Sequence, residues 1–188
     1  MSEIASALPG TAFDGLVRIA EAGPRGMVTV KGDLADTKRR AAVADVAGVD
    51  VPPMLGVTTD GDRGVLWMAP DEVLVLTPYA DAAESARRMT EALSDTHSLV
   101  ANVSEARAVF TLMGAQVRDV LAKLTPADMH PEALTPGTLR RTRLAQVPAA
   151  FWLRDAETAE LICFRSVAQY VFDILSHAAR PGTAPGHF

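Results

Sequence analysis

"VLWMAPDEVLVLT", residues 65–77, decides the fold of this sequence, because two short apolar runs lie on either side of Pro70 and Asp71. Each run is rich in the aliphatic, β-branched and aromatic residues that favour strands. Proline followed by aspartate favours a turn. The stretch therefore predicts a β-hairpin with one strand over 65–69 and the other over 72–77.

This arrangement occurs a second time, and a helix is predicted after each hairpin. The runs "AAFWLRD" and "AELICFR" within residues 149–165 predict two strands joined across "DAET". After the first hairpin, apolar residues recur at steps of four, three and four, which is one face of a helix: Ala82, Ala86, Met89 and Leu93. After the second hairpin, helical spacing recurs in a longer set: Val167, Tyr170, Val171, Ile174, Leu175 and Ala178.

A strand and a helix are predicted before each hairpin as well. "GMVTV" (26–30) is typical of a strand, a helix follows near 34–46, and "PPMLGVTT" leads to a strand that ends at the turn "DGDRG". In the second half, "HSLVANVS" and "AVFTLMG" predict strands. The helix after them is marked by Val117, Val120, Leu121 and Leu124, and a loop follows it.

Matching landmarks in the two halves keep nearly constant separations of 82, 85 and 82 residues: Gly32 and Gly114, Trp67 and Trp152, Leu93 and Leu175. We therefore predict an α+β fold of two β-α-β-β-α (ferredoxin-like) halves, with helices on one face of each antiparallel sheet. An extended N-terminal arm (1–25) precedes a single domain (26–179), whose halves cover about 26–95 and 96–179. Residues 180–188 are expected to form a flexible tail.

Composition excludes several classes of protein. The 188 residues carry a formal net charge of −5, which argues against nucleic acid as the main partner. Two short basic clusters, 38–40 and 140–143, are interpreted as solvated faces or protein contacts. The single cysteine, Cys163, excludes an intramolecular disulfide framework and lies in an apolar run, as a buried thiol does. We recognise neither a signal peptide nor a membrane span, and we expect a soluble, cytoplasmic protein.

Asp128 and His130 are the first candidates for chemistry, since they lie two residues apart in "TPADMHP" (125–131). A carboxylate beside an imidazole suits a general base with its orienting partner, or two ligands of a metal. The prolines favour an extended loop, in which side chains two residues apart point away from each other. We therefore favour a rigid loop over a catalytic or metal site.

Two arginines are further candidates. Arg107 lies where one predicted strand ends and the next begins, and it suits either a carboxylate ligand or a turn. Arg165 precedes the last predicted helix. We predict that Arg107, Asp128, His130 and Arg165 form subunit interfaces or fix loops. No phosphate-binding loop, dinucleotide fingerprint, nucleophile elbow or zinc-protease motif is recognisable. The sequence thus predicts a binding or assembly module with neither catalytic nor metal-ligating residues, and it identifies no cofactor-binding residue.

Three stretches resemble one family: "LWMAPDEVLVLTP", "VANVSEARAVFTLMGAQVRDVLAKLTPADMHPEAL" and "CFRSVAQYVFDIL". Together they are similar to the gamma subunit of heterotetrameric sarcosine oxidase, in the right order over roughly residues 26–178. The elements W-x-x-P-D-E, S-x-x-R, G-x-x-x-R-D-V-L, D-x-H-P and R-S-x-x-x-Y carry the resemblance. The family in turn resembles the folate-binding aminomethyltransferase of the glycine-cleavage system, which implies an aminomethyltransferase-like fold.

The resemblance implies a role in a complex with alpha, beta and delta subunits. Such enzymes oxidatively demethylate sarcosine to glycine and reduce oxygen to hydrogen peroxide. The one-carbon unit leaves as formaldehyde or as 5,10-methylenetetrahydrofolate. FAD, FMN and NAD are expected in the alpha and beta subunits and zinc in the delta subunit, with no cofactor in the gamma subunit. The alternative is a stand-alone folate-binding or folate-dependent one-carbon transferase-like protein.

The N-terminal arm completes the sequence-based picture. Its apolar residues have too little periodicity to predict a helix: Ile4, Leu8, Phe13, Leu16, Val17 and Ile19. Because the arm precedes the first strand of the repeated body, we expect it to be spare to the fold. Its apolar residues then either cover the domain's own surface or dock on a neighbouring subunit, and we favour the neighbour.

Overall fold

A computed structural model describes residues 5–188 of the chain. In chain order, the strands are β1 (Ala12–Asp14), β2 (Arg18–Glu21), β3 (Gly26–Lys31), β4 (Val57–Asp60), β5 (Arg63–Ala69), β6 (Glu72–Thr77), β7 (Leu99–Asn102), β8 (Arg107–Met113), β9 (Leu139–Leu144), β10 (Val147–Leu153) and β11 (Thr158–Phe164). The helices are α1 (Thr37–Ala47), α2 (Ala82–Ala92), α3 (Val117–Ala122) and α4 (Ala168–Ala178). The hairpins and helices predicted from the sequence are all present.

The chain divides into two compact units. The first unit is Arg25–Ser104, and the second joins the described residues up to Pro24 to Glu105–Phe188. The first unit contains a five-stranded antiparallel sheet in the order β4-β5-β6-β3-β7. Helices α1 and α2 cover one face of this sheet, where valines of the strands meet buried helix residues such as Val43 and Met89. The opposite face is buried too, and every residue of β6 is buried instead of every second one.

The second unit is built in the same way. Its six strands are antiparallel in the order β1-β2-β8-β11-β10-β9. The inward residues of α3 and α4 pack against one face of the sheet, around Phe110, Phe151 and Leu161. Each unit is therefore an antiparallel sheet with its helices on one face, as the α+β prediction requires.

The duplication extends to backbone detail. Gly32 (φ 142°) and Gly114 (φ 144°) occupy equivalent positions after the first strand of each repeat. Their amides donate to the equivalent carbonyls of Asp71 (2.9 Å) and Glu157 (2.8 Å). Each repeat has one more strand than the β-α-β-β-α pattern. The additional strands are β4 and β9, which lie at the edges of their sheets. β9 lies in the segment after α3 for which the sequence predicts a loop.

Each sheet also contains strands from outside the repeat that it completes: β7 in the first unit, and β1 and β2 in the second. β7 follows α2 and pairs with β3, while β2 precedes β3 in the chain but pairs with β8. The predicted boundary at residues 95 and 96 therefore differs from the structure, in which β7 belongs to the first unit. Organisation as a single domain stays a prediction.

The expectation that the N-terminal arm is spare to the fold is wrong. β1 and β2 extend the sheet of the second unit, with Ile19 opposite Leu112 in the register. Val17 and Ile19 are 2% and 0% exposed in the core of that unit. Ile4 lies outside the described residues. The strand partner of this segment is distant in sequence, so local periodicity does not reveal its role.

The C-terminal tail has no helix or strand after Ala178 but contacts the second unit. The Lys123 ammonium donates to the Thr183 hydroxyl at 2.8 Å, and the His187 amide donates to the Asp119 carboxylate at 3.2 Å. Its flexibility stays a prediction. Among residues 5–188, no helix has the length and apolar character needed to cross a bilayer. The cytoplasmic location stays a prediction as well.

Candidate functional site

Asp128 and His130 both serve the backbone of their own loop. The Asp128 carboxylate accepts a hydrogen bond from the His130 amide at 2.8 Å, and His130 Nδ1 accepts one from the Glu132 amide at 3.3 Å. Both side chains are exposed, whereas Met129 between them is buried. This is the geometry of an Asx-type turn that fixes a loop, and the carboxylate does not orient the imidazole.

Arg118, on α3, holds this loop from inside the molecule. Its two terminal guanidinium nitrogens donate to the carbonyls of Met129 and Leu134, each at 2.8 Å. The residue is 9% exposed, and burial lowers the pKa of its guanidinium. A planar fork with two donors suits two carbonyls of one loop, which a single ammonium cannot span. Nearby, Arg140 donates to the carbonyl of Ala133, at the far end of the same loop.

Arg118 is not among the residues predicted from the sequence, although a signal for it is present. The predicted inward face of α3 includes Leu121, which lies three residues after Arg118 and therefore on the same side of the helix. A charged residue on an inward helix face needs hydrogen-bond partners, and loop carbonyls are the usual ones.

Arg165 fixes the N-terminal segment. Its guanidinium donates to the carbonyls of Ala5 (2.9 Å) and Ser6 (3.0 Å) and lies 3.6 Å from the carboxylate of Glu105. The Ser6 hydroxyl in turn donates to Glu21 at 2.9 Å, at the end of β2. Arg165 thus connects the segment before β1 to the end of β11.

Arg107 lies opposite Phe164 in the β8–β11 register, with its guanidinium carbon 4.6 Å from the centroid of the ring. This is a cation–π contact between neighbouring strands. Next to Phe164, Cys163 is 1% exposed. Burial raises the pKa of the Cys163 thiol to about 12, and the charge of Arg107 opposes that shift. The thiol is therefore protonated at neutral pH and is a poor nucleophile.

The four candidate residues fall into two groups. Arg107 and Arg165 adjoin Phe164 at the end of β11, and Asp128 and His130 lie in the loop that Arg118 holds. Within residues 5–188, no three His, Cys, Asp or Glu side chains are grouped so that they could hold a metal ion. Asp128, His130 and Arg165 contact backbone groups, whereas Arg107 contacts a neighbouring strand, and a loop-fixing or interface role for the four residues stays a prediction.

Comparison with known proteins identifies the family of this chain. Residues 31–180 match the model of the sarcosine oxidase gamma subunit family. The chain belongs to this family. The resemblance inferred from the sequence is thereby confirmed over most of the chain.

Curated relatives of the sarcosine oxidase gamma subunit family agree with this assignment. The chain is 37% identical to sarcosine oxidase subunit gamma of Corynebacterium sp. (strain P-1) over 114 residues, which span 60% of this chain and 55% of that protein. It is 32% identical to sarcosine oxidase subunit gamma of Arthrobacter sp. over 151 residues, 77% of this chain and 73% of that protein. The first of these matches thus spans little more than half of its relative.

Solved structures confirm the fold prediction. A chain of heterotetrameric sarcosine oxidase from Corynebacterium sp. U-96, in complex with pyrrole 2-carboxylate, superposes with a TM-score of 0.80 at 26% identity. The match covers 89% of this chain and 87% of that one. Aminomethyltransferase T of the glycine cleavage system from Bartonella henselae gives a TM-score of 0.64 at 13% identity, over 93% of this chain and 48% of that one. This second likeness shows an aminomethyltransferase-like fold alone.

Proposed function

We propose that the chain is a non-catalytic assembly subunit of a heterotetrameric sarcosine oxidase, with the alpha, beta and delta subunits as its partners. The observation that carries the proposal is that the candidate polar side chains bind the backbone of their own chain. Asp128 and Arg118 bind loop backbone, and Arg165 binds the segment before β1. Groups occupied in this way hold surfaces in shape, which is what an assembly subunit needs.

The reaction of the complex follows from the proposed membership. It is the oxidative demethylation of sarcosine to glycine, with hydrogen peroxide and either formaldehyde or 5,10-methylenetetrahydrofolate as the other products. FAD, FMN, NAD and zinc belong to the partner subunits in this proposal, and the present chain contributes contact surface. The buried, protonated thiol of Cys163 supports the part of this proposal that concerns the single cysteine, which is a poor nucleophile.

The alternative, a stand-alone folate-binding or one-carbon transferase-like protein, draws support only from the likeness to aminomethyltransferase T. That likeness is one of fold, and a fold by itself does not assign a function. We therefore do not propose it as a second function.

Co-purification tests the proposal. We expect the tagged chain, expressed with its cognate alpha, beta and delta subunits, to elute with them in a complex that oxidises sarcosine. The chain purified alone is expected to be colourless and inactive toward sarcosine. Failure to co-purify, or a flavin spectrum in the isolated chain, contradicts the proposal.

A further inference from the structure

A β-turn between α1 and β4 has two apolar side chains at its tip. The Gly56 amide donates to the carbonyl of Pro53 at 2.9 Å, which makes Met54 and Leu55 the central residues of the turn. Met54 is 72% exposed and Leu55 is 43% exposed. Water is an unfavourable environment for both side chains, so the turn is an unusual place for two adjacent large apolar residues.

The backbone at the tip is strained. Leu55 has a φ of 60°, a region that glycine or asparagine occupies in turns of this kind and that branched side chains avoid. In the described part of the chain, Ala145 (φ 49°) is the other non-glycine residue with positive φ. Backbone strain persists where the surrounding structure enforces it, and it is concentrated at functional contacts.

The turn is rigidly held at both ends. Before it, Val51 and Pro52 are buried, and the Arg40 guanidinium donates to the Val51 carbonyl at 2.9 Å. After it, the Gly56 carbonyl accepts from the Trp67 amide at 3.1 Å. A side chain at Gly56 would place its Cβ 2.9 Å from the Pro53 carbonyl oxygen, so the tight turn requires glycine there. The tip is therefore presented in one fixed conformation.

Exposure and strain both disfavour this tip in the isolated chain. A contact made only in a complex accounts for both. A rigid tip loses little conformational entropy on docking, and methionine is enriched in the cores of protein interfaces.

We propose that Met54 and Leu55 form a hydrophobic anchor that inserts into an apolar socket on another subunit of the sarcosine oxidase complex. This inference rests on the proposed function, since that function supplies a different chain as the partner. A second copy of this chain is a poorer occupant. A two-fold axis through this region would bring two convex tips against each other, with little area buried between them.

Four single variants, captured by the immobilised partner subunits, test the anchor. Leu55→Asn removes the apolar side chain but suits a positive φ, and Met54→Ser removes the other anchor without a change in backbone. Leu55→Met keeps an apolar side chain at the tip. Ala145→Asn is the matched control, because it makes the same kind of replacement at the other positive-φ position.

We expect Leu55→Asn and Met54→Ser each to weaken capture by about tenfold or more, as loss of an interface anchor does. Leu55→Met and Ala145→Asn are expected to be captured like the wild type. The thermal midpoint of each isolated variant should stay within about 4 °C of the wild type or lie above it, which separates lost contact from lost fold.

Three results overturn the anchor. In the first, the partner subunits capture Leu55→Asn and Met54→Ser as well as they capture the wild type, which rules out the anchor but leaves the proposed function intact. Loss of self-association in these variants, with unchanged capture, assigns the tip to a second copy. Failure of the wild-type chain to be captured at all removes the proposed function and the anchor with it.

Discussion

Two connections in this molecule occupy equivalent places in the duplicated pattern but treat their apolar side chains in opposite ways. The short connection (residues 48–56) joins α1 to β4 and leaves Met54 72% exposed. The long connection (residues 123–138) joins α3 to β9 and buries Met129 to 2% and Leu134 to 0% exposure. The same position in a repeat thus serves the fold in one half and is available for contact in the other.

The two connections differ in the burial of their apolar side chains because each is hydrogen-bonded by a different arginine. Arg118 is buried and binds two carbonyls of the long connection, so the loop turns inward and its apolar residues enter the core. Arg40 is exposed and binds one carbonyl of the short connection, at Val51. Beyond Val51, consecutive prolines direct the chain outward to its tip. The predictions below test this contrast in order of expected effect.

The largest difference in the free energy of unfolding is expected between variants of Arg118 and Arg40. Arg118→Ala leaves two buried loop carbonyls without a donor and should lower the free energy of unfolding by about 3 kcal/mol. Arg40→Ala removes one hydrogen bond at the surface and should cost about 1 kcal/mol or less. Urea unfolding of the purified variants measures both.

Arg118→Lys is the control for charge in that comparison. It keeps the positive charge but cannot bridge both carbonyls, so its loss should lie between those of the other two variants. Equal losses for Arg118→Ala and Arg40→Ala would mean that the buried arginine does not organise the long connection.

The two methionines should differ next. Met129→Ala opens a cavity in the core of the second unit and is expected to cost about 2–3 kcal/mol of unfolding free energy. Met54→Ala, at an exposed site, should change it by about 0.5 kcal/mol or less. Chemical denaturation of the two variants side by side gives the comparison. A substantial loss for Met54→Ala would show that the tip supports the fold of its own unit.

Smaller effects than those at Arg118 and Met129 are expected at Asp128 and His130. Asp128→Ala removes the carboxylate that accepts from the His130 amide and should cost about 1 kcal/mol. His130→Ala removes a longer, exposed hydrogen bond and should cost less. Sarcosine turnover per assembled complex is expected to be unchanged in both variants. A drop of about a hundredfold in turnover at normal yield of complex would instead indicate acid–base catalysis.

The sequence predicts the repeated frame well because its hairpins and helices have clear local periodicity. "VLWMAPDEVLVLT" and the helical spacing up to Ala178 need no knowledge of distant partners. β9 was missed because its residues "LRRTRL" resemble a charged surface segment, although Leu139 and Leu144 at its ends are buried. The role of β2 was missed because its partner, β8, lies about ninety residues away in sequence.

The candidate site shows where local inference stops. The loop-fixing character of "TPADMHP" follows from its prolines, but the arginine that holds it lies on another element. The exposure of Met54 and Leu55 is also not predictable from the sequence, because "PPMLGVTT" predicts only a segment that leads to a strand. Burial depends on tertiary structure, so the two connections become different only in the folded chain.

Methionine oxidation before and after assembly tests the contrast between the connections most directly. Peptide mass spectrometry after mild peroxide treatment reports sulfoxide formation separately at Met54 and Met129. In the isolated chain, we expect rapid oxidation of Met54 and slow oxidation of Met129. In the assembled complex, oxidation of Met54 should slow towards the rate of Met129, which itself should not change. Equal rates at Met54 in the free and assembled chain would contradict the account, as would fast oxidation of Met129 in the isolated chain.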